Sequence, residues 1–298
     1  MEDFKSNRYL DVVAQSEVTS IDEVVEGRVQ EILSEHFAEN NNRDVYRFLL
    51  NTVDLTTLSS EDTETSVAEF TRRVNEFETN HPELDNVAAI CVYPNFASVV
   101  RANLDVSEVN VAVVGGNFPS SQARIEVKVA ECTLAVADGA DAVDIVYNLG
   151  LDGDECYEEL CDEIQEIKDA IGDDHQKVIL ETGALKSAAN IKRASILSMY
   201  SGADFIKTST GKIYPGASLE AAYVMCSCIK EYYEKCGRMV GFKVSGGVRT
   251  TEEAVKYYTL VKEILGEEWL TNEHFRIGAS SLANNLFASI TGTDEKPF

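Results

Sequence analysis

The chain alternates short apolar runs with longer stretches of helical period, and this alternation limits its fold more than any other feature. Continuous apolar strands between amphipathic helices are typical of a parallel sheet covered by helices. Eight such units in about 250 residues predict a (β/α)8 TIM barrel rather than an open doubly wound sheet. The eight runs are Leu49–Asp54, Val87–Tyr93, Val111–Val114, Val143–Tyr147, Val178–Glu181, Asp204–Lys207, Val240–Val244 and Phe275–Ile277.

Two of the intervening stretches show the helical period clearly. Apolar residues recur every three or four positions from Tyr157 to Ile171 and again from Ala254 to Leu265, and each set lays one apolar stripe on a helix. No GxGxxG motif opens a helix after a strand, which is unfavourable to a dinucleotide-binding fold.

Residues 1–45 are polar and acidic and stand outside this alternation. A weakly amphipathic stretch from Val24 to Phe37 predicts a helical or partly disordered arm that ends near Asn40-Asn41-Asn42. We therefore expect an acidic N-terminal extension over residues 1–45 and a catalytic barrel over residues 46–298.

Composition excludes several classes of partner. With 51 acidic and 26 basic residues the net charge is −25, which is unfavourable to binding of nucleic acid or an anionic membrane. No apolar run approaches the ~18 residues of a membrane span, and the N-terminus has no signal-peptide core, so we expect a cytoplasmic protein. The seven cysteines include no CxxC pair and the four histidines no HExxH motif, so we expect free thiols and no metal site.

Two lysines lie inside predicted strands. Lys207 ends one apolar run, and Lys243 has apolar neighbours on both sides. Either lysine alone is explained by a solvated edge or a buried salt bridge. Two ammonium groups close together in a buried site lower a pKa, however, and a neutral lysine is the nucleophile that forms a Schiff base. Asp144, late in the fourth run, is a counter-ion for a lysine or a proton carrier beside an iminium.

Glycine- and serine-rich segments follow the last two predicted strands, at Ser245–Arg249 and Gly278–Ser281. Loops after strands 7 and 8 of such barrels commonly bind phosphate, because glycines and a helix N-terminus let backbone amides approach an anion. The simpler interpretation is a pair of ordinary turns, with Ser281 as a helix N-cap.

Two further residues fall near predicted strand ends. Asp54 is a ligand for a substrate hydroxyl, an orienting partner for a lysine, or a purely structural residue. Cys91 is interpreted as a small packing residue at the substrate site rather than a nucleophile.

Taken in order, these segments resemble a deoxyribose-phosphate aldolase over about residues 45–290. The resemblance implies reversible cleavage of 2-deoxy-D-ribose 5-phosphate to D-glyceraldehyde 3-phosphate and acetaldehyde, without metal or organic cofactor, and relatives of this kind are commonly homodimers. The motifs that carry it are Asp54–Leu58, Ala89–Pro94, Val143–Val146, Asp204–Lys212, Gly241–Arg249 and Arg276–Ser281.

By position, the resemblance implies that Lys207 forms the imine, that Lys243 lowers its pKa and that Asp144 relays protons through water. Many relatives end in a tyrosine that assists proton transfer, whereas this chain ends in Phe298. We therefore expect a tail that can cover the site without relaying protons. The resemblance assigns the phosphate group to Gly211, Lys212, Gly246, Gly247, Ser280 and Ser281.

Three other functions stay open at this point. The same imine chemistry serves aldolases or transaldolases that use a different donor. A barrel that binds a sugar phosphate without catalysis is a second possibility, although it has no need for two buried lysines. A phosphate-binding isomerase needs a glutamate or histidine base late in a strand, and Glu181 is the one close candidate.

Overall fold

Eight strands form one closed barrel in the computed structural model, which describes residues 8–298. All neighbouring strands are parallel, and β1 pairs with β8 to close the sheet. The strands are β1 (Val53–Thr56), β2 (Ala89–Val92), β3 (Asn110–Val114), β4 (Ala142–Val146), β5 (His175–Ile179), β6 (Phe205–Lys207), β7 (Gly241–Ser245) and β8 (Phe275–Ala279). The predicted (β/α)8 TIM barrel is confirmed.

Helices precede the barrel, connect its strands and follow the last one. They are α1 (Arg8–Ala14), α2 (Asp22–Asn40), α3 (Arg43–Leu50), α4 (Glu64–Asn80), α5 (Ala97–Asn103), α6 (Ile125–Ala137), α7 (Leu149–Gly153), α8 (Tyr157–Ile171), α9 (Thr182–Leu185), α10 (Ala188–Tyr200), α11 (Leu219–Cys236), α12 (Thr251–Leu265) and α13 (Leu282–Thr291). The two stripes of helical period coincide with α8 and α12, as predicted.

The first strand begins later than its apolar run predicts. Leu49 and Leu50 close α3, and β1 starts only at Val53. The side chain of Asn42 accepts hydrogen bonds from the backbone N–H groups of Asp44 and Val45, which fixes the start of α3 just ahead of these leucines. Because a short apolar run suits a buried helix face as well as a strand, the pattern alone does not separate the two.

The segment between α1 and α2 is bound to the outer helices of the barrel. The ammonium group of Lys192 on α10 donates to the carbonyls of Ser16 and Val18, each at 2.8 Å. Asp22 accepts the N–H of Ala188, the first residue of α10, at 2.7 Å. Helix α3 crosses residue 45, and residues 1–7 of the predicted extension lie outside the described residues. The division at residue 45 stays a proposal.

The C-terminal tail lies on the outside of the barrel, against α4 and α13. The ring of Phe298 packs on Phe77 of α4 with 4.5 Å between centroids. Its backbone N–H donates to Oδ1 of Asn284 at 3.0 Å, and its carbonyl accepts from Nδ2 of the same residue at 2.9 Å. In this structure the tail therefore lies away from the site, because its apolar terminal ring is buried with other aromatic rings. That the tail can cover the site stays a prediction.

All seven cysteines are free thiols, in agreement with their spacing. No helix within residues 8–298 is both long enough and apolar enough to cross a membrane.

Candidate active site

The interior of the barrel is apolar on one side and charged on the other. Strands β2, β3 and β4 contribute a cluster of small apolar side chains that includes Cys91. Burial raises the pKa of the Cys91 thiol, so it stays protonated and forms part of an uncharged wall. The charged side carries six residues that are each at most 5% exposed: Asp54, Asp144, Lys177, Lys207, Lys243 and Arg276. We call these six residues the buried charge cluster.

Strand register brings the cluster together. Lys207 on β6 is in register with Lys243 on β7, which is in register with Arg276 on β8. Asp144 on β4 is likewise in register with Lys177 on β5. Residues in register on adjacent strands point to the same face of the sheet, and in a barrel that face is the interior.

Asp144 is the centre of the cluster. Its Oδ2 atom accepts hydrogen bonds from the Nζ atoms of both Lys207 and Lys243, each at 2.7 Å. The two strand lysines singled out from the sequence therefore share one oxygen atom. The other carboxylate oxygen, Oδ1, is buried without a hydrogen bond from any residue in 8–298, and Nζ of Lys177 lies 3.7 Å from it.

Asp54 forms a second ion pair within the cluster. Its Oδ2 atom bonds to Nζ of Lys243, and its Oδ1 atom accepts from Nη1 of Arg276 at 2.8 Å. Because Asp54 is fully buried and both oxygens bond to cations, its geometry fits an orienting partner for Lys243 better than a substrate ligand.

These contacts fix the ionisation of three groups. Burial opposes the charge of Asp144, but Lys207, Lys243 and Lys177 outweigh it and hold the pKa of Asp144 well below its ordinary value. Burial likewise opposes the charge of Asp54, and Lys243 and Arg276 lower its pKa on balance. The two carboxylates in turn overcome burial and raise the pKa of Lys243. Lys243 therefore stays an ammonium group at physiological pH.

Lys177 and Arg276 belong to the cluster, although none of the sequence patterns above assigns them a role. Lys177 precedes the run Val178–Glu181, and Arg276 lies within Phe275–Ile277. The signal that could have found them is the one that found Lys207 and Lys243, a charged side chain within or beside an apolar barrel strand. Arg276 pairs with Asp54 and thereby helps to hold Lys243.

A cavity of about 270 Å³ lies at the carboxyl ends of the strands and includes Lys207 in its wall. Helix α13 starts here at Leu282, and the side chain of Ser281 makes no capping hydrogen bond. The N-terminal amides of this helix and the glycines of the loops provide donors for an anion. The cavity is lined by all six residues predicted to bind phosphate, Gly211, Lys212, Gly246, Gly247, Ser280 and Ser281.

Glycine is required where the loops around this cavity pack together. Gly246 has a φ of +87°, and a Cβ atom at Gly216 would lie 1.8 Å from the carbonyl oxygen of Gly246. The loops after β6 and β7 approach each other so closely that there is no room for a side chain at this contact. At the rim, Nζ of Lys212 donates to the carbonyl of Leu58 at 2.6 Å.

Glu181 lies outside the sheet, since β5 ends at Ile179. Its backbone has a φ of 56°, and its carboxylate accepts from the N–H and the hydroxyl of Thr210 at 3.2 and 2.5 Å. Through these two hydrogen bonds, the carboxylate of Glu181 holds the loop after β6 in place. Because its carboxylate is bonded to this loop, Glu181 is not positioned as the catalytic base that the isomerase hypothesis requires.

Replacing Asp54 by asparagine should lower the free energy of unfolding by about 3 kcal/mol at pH 7, because Arg276 and Lys243 lose a buried counter-charge. The pKa of Asp54 is depressed in the folded state, so its contribution is present above the unfolded value of about 3.9 and is lost as the pH falls through the folded value. The stability gap between wild type and Asp54→Asn should therefore narrow below about pH 4. Urea titrations from pH 7 to pH 2.5 test this, and a gap that widens in acid would contradict it.

Fold and site together define a (β/α)8 barrel enzyme whose polar groups gather inside the barrel and at the carboxyl ends of its strands. Residues 48–284 match the model of the DeoC/LacD family aldolases, a segment that includes every predicted site residue. The chain belongs to this family and is an aldolase.

Individual relatives agree with this assignment. A Caenorhabditis elegans relative is 44% identical over 251 residues, which cover 84% of this chain and 82% of the relative. The deoxyribose-phosphate aldolase of Mus musculus is 40% identical over 244 residues, covering 78% and 77% of the two chains. The solved structure of QR15, an aldolase, superimposes with a TM-score of 0.67 at 29% identity and covers 81% of this chain and 96% of its own.

Proposed function

We propose that this chain is a class I deoxyribose-phosphate aldolase, which reversibly cleaves 2-deoxy-D-ribose 5-phosphate to D-glyceraldehyde 3-phosphate and acetaldehyde. The observation that carries the proposal is the bonding of Lys207 and Lys243 to one oxygen of Asp144, each at 2.7 Å, beside a cavity lined by Lys207 and the glycine loops. Relatives that bear this name, such as the mouse enzyme, support the choice of substrate.

The proposed reaction begins when the neutral amine of Lys207 attacks the C1 aldehyde of the open-chain sugar. Loss of water gives an iminium, which accepts the electron pair of the C2–C3 bond while the C3 hydroxyl loses its proton. Glyceraldehyde 3-phosphate leaves, C2 of the remaining enamine takes up a proton, and water hydrolyses the imine to acetaldehyde. We assign the proton exchange to Asp144, because its carboxylate bonds to Lys207.

Lys243 supplies a fixed positive charge in this scheme. Its Nζ atom is held by Asp54 and Asp144, so it stays protonated and does not compete as a nucleophile. The same cation holds Asp144 beside the amine of Lys207 that attacks the substrate.

The local charge of the site suits an anionic substrate. The chain as a whole carries a net charge of −25, yet the buried charge cluster contains four basic side chains and two carboxylates. This local excess of positive charge, with Lys212 at the rim, lies next to the loops proposed to bind phosphate. An acidic protein with such a local site can attract a sugar phosphate against its own overall field.

Replacing Lys212 by methionine should raise KM for 2-deoxyribose 5-phosphate by about 10- to 100-fold and change kcat much less, because a hydrogen bond from a charged group to the phosphate is lost. Steady-state kinetics measure both constants. KM for non-phosphorylated 2-deoxyribose should stay within about twofold of wild type, and a parallel rise in that KM would show that Lys212 does not contact the phosphate.

The direct test of the function is release of glyceraldehyde 3-phosphate from 2-deoxyribose 5-phosphate, followed by a coupled dehydrogenase. In the synthetic direction, acetaldehyde should serve as donor, whereas dihydroxyacetone phosphate and fructose 6-phosphate should not. Turnover of either of these other donors in place of acetaldehyde would favour the aldolase or transaldolase alternative. Binding of the sugar phosphate without turnover would favour the non-catalytic barrel.

The proposed mechanism uses only side chains of this chain, so we propose that activity needs neither a metal ion nor an organic cofactor. Full activity after dialysis against a chelator is the expected result. We also propose a cytoplasmic homodimer, for which sedimentation equilibrium gives the oligomeric state.

A further inference from the structure

Lys177 completes the buried charge cluster but has no part in the mechanism described above. It lies on β5 with 2% of its surface exposed, and its Nζ atom is 3.7 Å from Oδ1 of Asp144. The same Nζ atom lies 5.5 Å from the centroid of the Phe205 ring, a geometry that favours a cation.

Lys177 has the weakest partner among the four basic residues of the cluster. Lys207, Lys243 and Arg276 each hydrogen-bond to a carboxylate at 2.8 Å or less, whereas Lys177 makes only the longer contact. Burial, assisted by Lys243 and Arg276, lowers the pKa of Lys177 against the opposing effect of Asp144 and Asp54. A buried lysine with so little compensation costs stability, and methionine would fill similar space without that cost.

Another buried lysine shows what a structural role involves. Lys128 on α6 is 1% exposed, and its ammonium group bonds to Glu163 at 2.8 Å and to Ser121 at 3.0 Å. These bonds compensate the charge of Lys128, which lies outside the buried charge cluster. Lys177, in contrast, faces the one carboxylate oxygen of Asp144 that no residue in 8–298 hydrogen-bonds.

We propose that Lys177 is a positioning residue for Asp144. Its positive charge on the Oδ1 side holds the carboxylate in the orientation that directs Oδ2 at Lys207 and Lys243. When Lys207 becomes an imine and no longer donates as an ammonium group, Lys177 joins Lys243 in keeping Asp144 ionised and holds the carboxylate in place for proton exchange. This inference rests on the proposed function, because it assigns Lys177 to the proton-transfer steps of that reaction.

The test compares Lys177→Met with wild type and with Lys128→Met as a matched control that also removes a buried lysine. Lys177→Met should lower kcat by about 10- to 100-fold with KM within about threefold, because proton transfer rather than phosphate binding is affected. The low-pH limb of the kcat profile, which reports groups in the enzyme–substrate complex, should move to higher pH by about half a unit or more, because loss of the Lys177 cation raises the pKa of Asp144. Lys128→Met should leave kcat and the limb unchanged.

A residue that only filled space would be replaced by methionine without moving the pH profile. The proposal would therefore be overturned if Lys177→Met had a low-pH limb and a kcat within error of wild type. It would also be overturned if Lys128→Met lost as much kcat as Lys177→Met. If Lys177→Met does not fold, Lys177→Gln is assayed in the same way, and the same criteria for kcat and the pH limb apply to it. Lys177→Arg keeps the charge and should return the limb to within about 0.2 unit of wild type.

The proposed function is judged separately, on the wild-type protein. A wild type that does not cleave 2-deoxyribose 5-phosphate removes both the function and this inference. A wild type that cleaves it, together with a Lys177→Met variant that behaves like wild type, removes the inference alone.

Discussion

Replacing Lys207 by methionine is expected to lower kcat/KM for 2-deoxyribose 5-phosphate by at least about 10⁴-fold, because it removes the nucleophile on which every later step depends. Methionine matches the length of the lysine stem, and the variant should fold, since Asp144 keeps its bond to Lys243. The measurement is release of glyceraldehyde 3-phosphate at high enzyme concentration, with circular dichroism to confirm the fold.

Lys128→Met is the control for this experiment, because it removes a buried lysine that lies outside the cluster. Its activity should stay within about twofold of wild type. A Lys207→Met variant that retains a tenth of the wild-type activity would show that another group forms the covalent intermediate or that none is formed.

Replacing Lys243 by methionine should have the largest effect on stability, a loss of about 3–5 kcal/mol in the free energy of unfolding. Lys243 bonds to both Asp54 and Asp144, so its removal leaves two buried carboxylates short of a counter-charge. Activity should fall as well, because the fixed cation beside Lys207 is lost. Urea denaturation monitored by the fluorescence of Trp269 measures the stability change.

A double-mutant cycle separates the ion pair from general loss of packing. Asp54→Asn combined with Lys243→Met should cost about 1–3 kcal/mol less than the sum of the two single changes, because neither Asp54 nor Lys243 is then left buried without the other. Simple additivity of the two changes would contradict the ion pair inferred from the geometry.

The barrel was predictable because its signal is repeated eight times. Each apolar run is short and ambiguous alone, as Leu49 and Leu50 show by ending a helix instead of starting a strand. A wrong boundary in one unit does not change the number of units or their order, so the topology was predictable where individual bounds were not. The tail was not predictable, because the packing of Phe298 on Phe77 depends on two distant helices coming together.

The site was predictable to the extent that its residues are unusual where they stand. Lys207 and Lys243 are conspicuous in apolar strands, and the glycine loops stand out by composition. Lys177 lies at the edge of its run, and its proximity to Asp144 follows from the register between β4 and β5. Strand register is a property of the closed sheet, which the composition of one strand does not contain.

The central claim is that Lys207 forms a Schiff base with the substrate, and reductive trapping tests it most directly. The protein is incubated with 2-deoxyribose 5-phosphate, treated with borohydride, digested and analysed by peptide mass spectrometry, with Lys207→Met as the control. We predict one adduct, on the peptide that contains Lys207, and none in the control. An adduct on Lys243 instead, or no adduct on a wild-type protein that cleaves the substrate, would contradict the account.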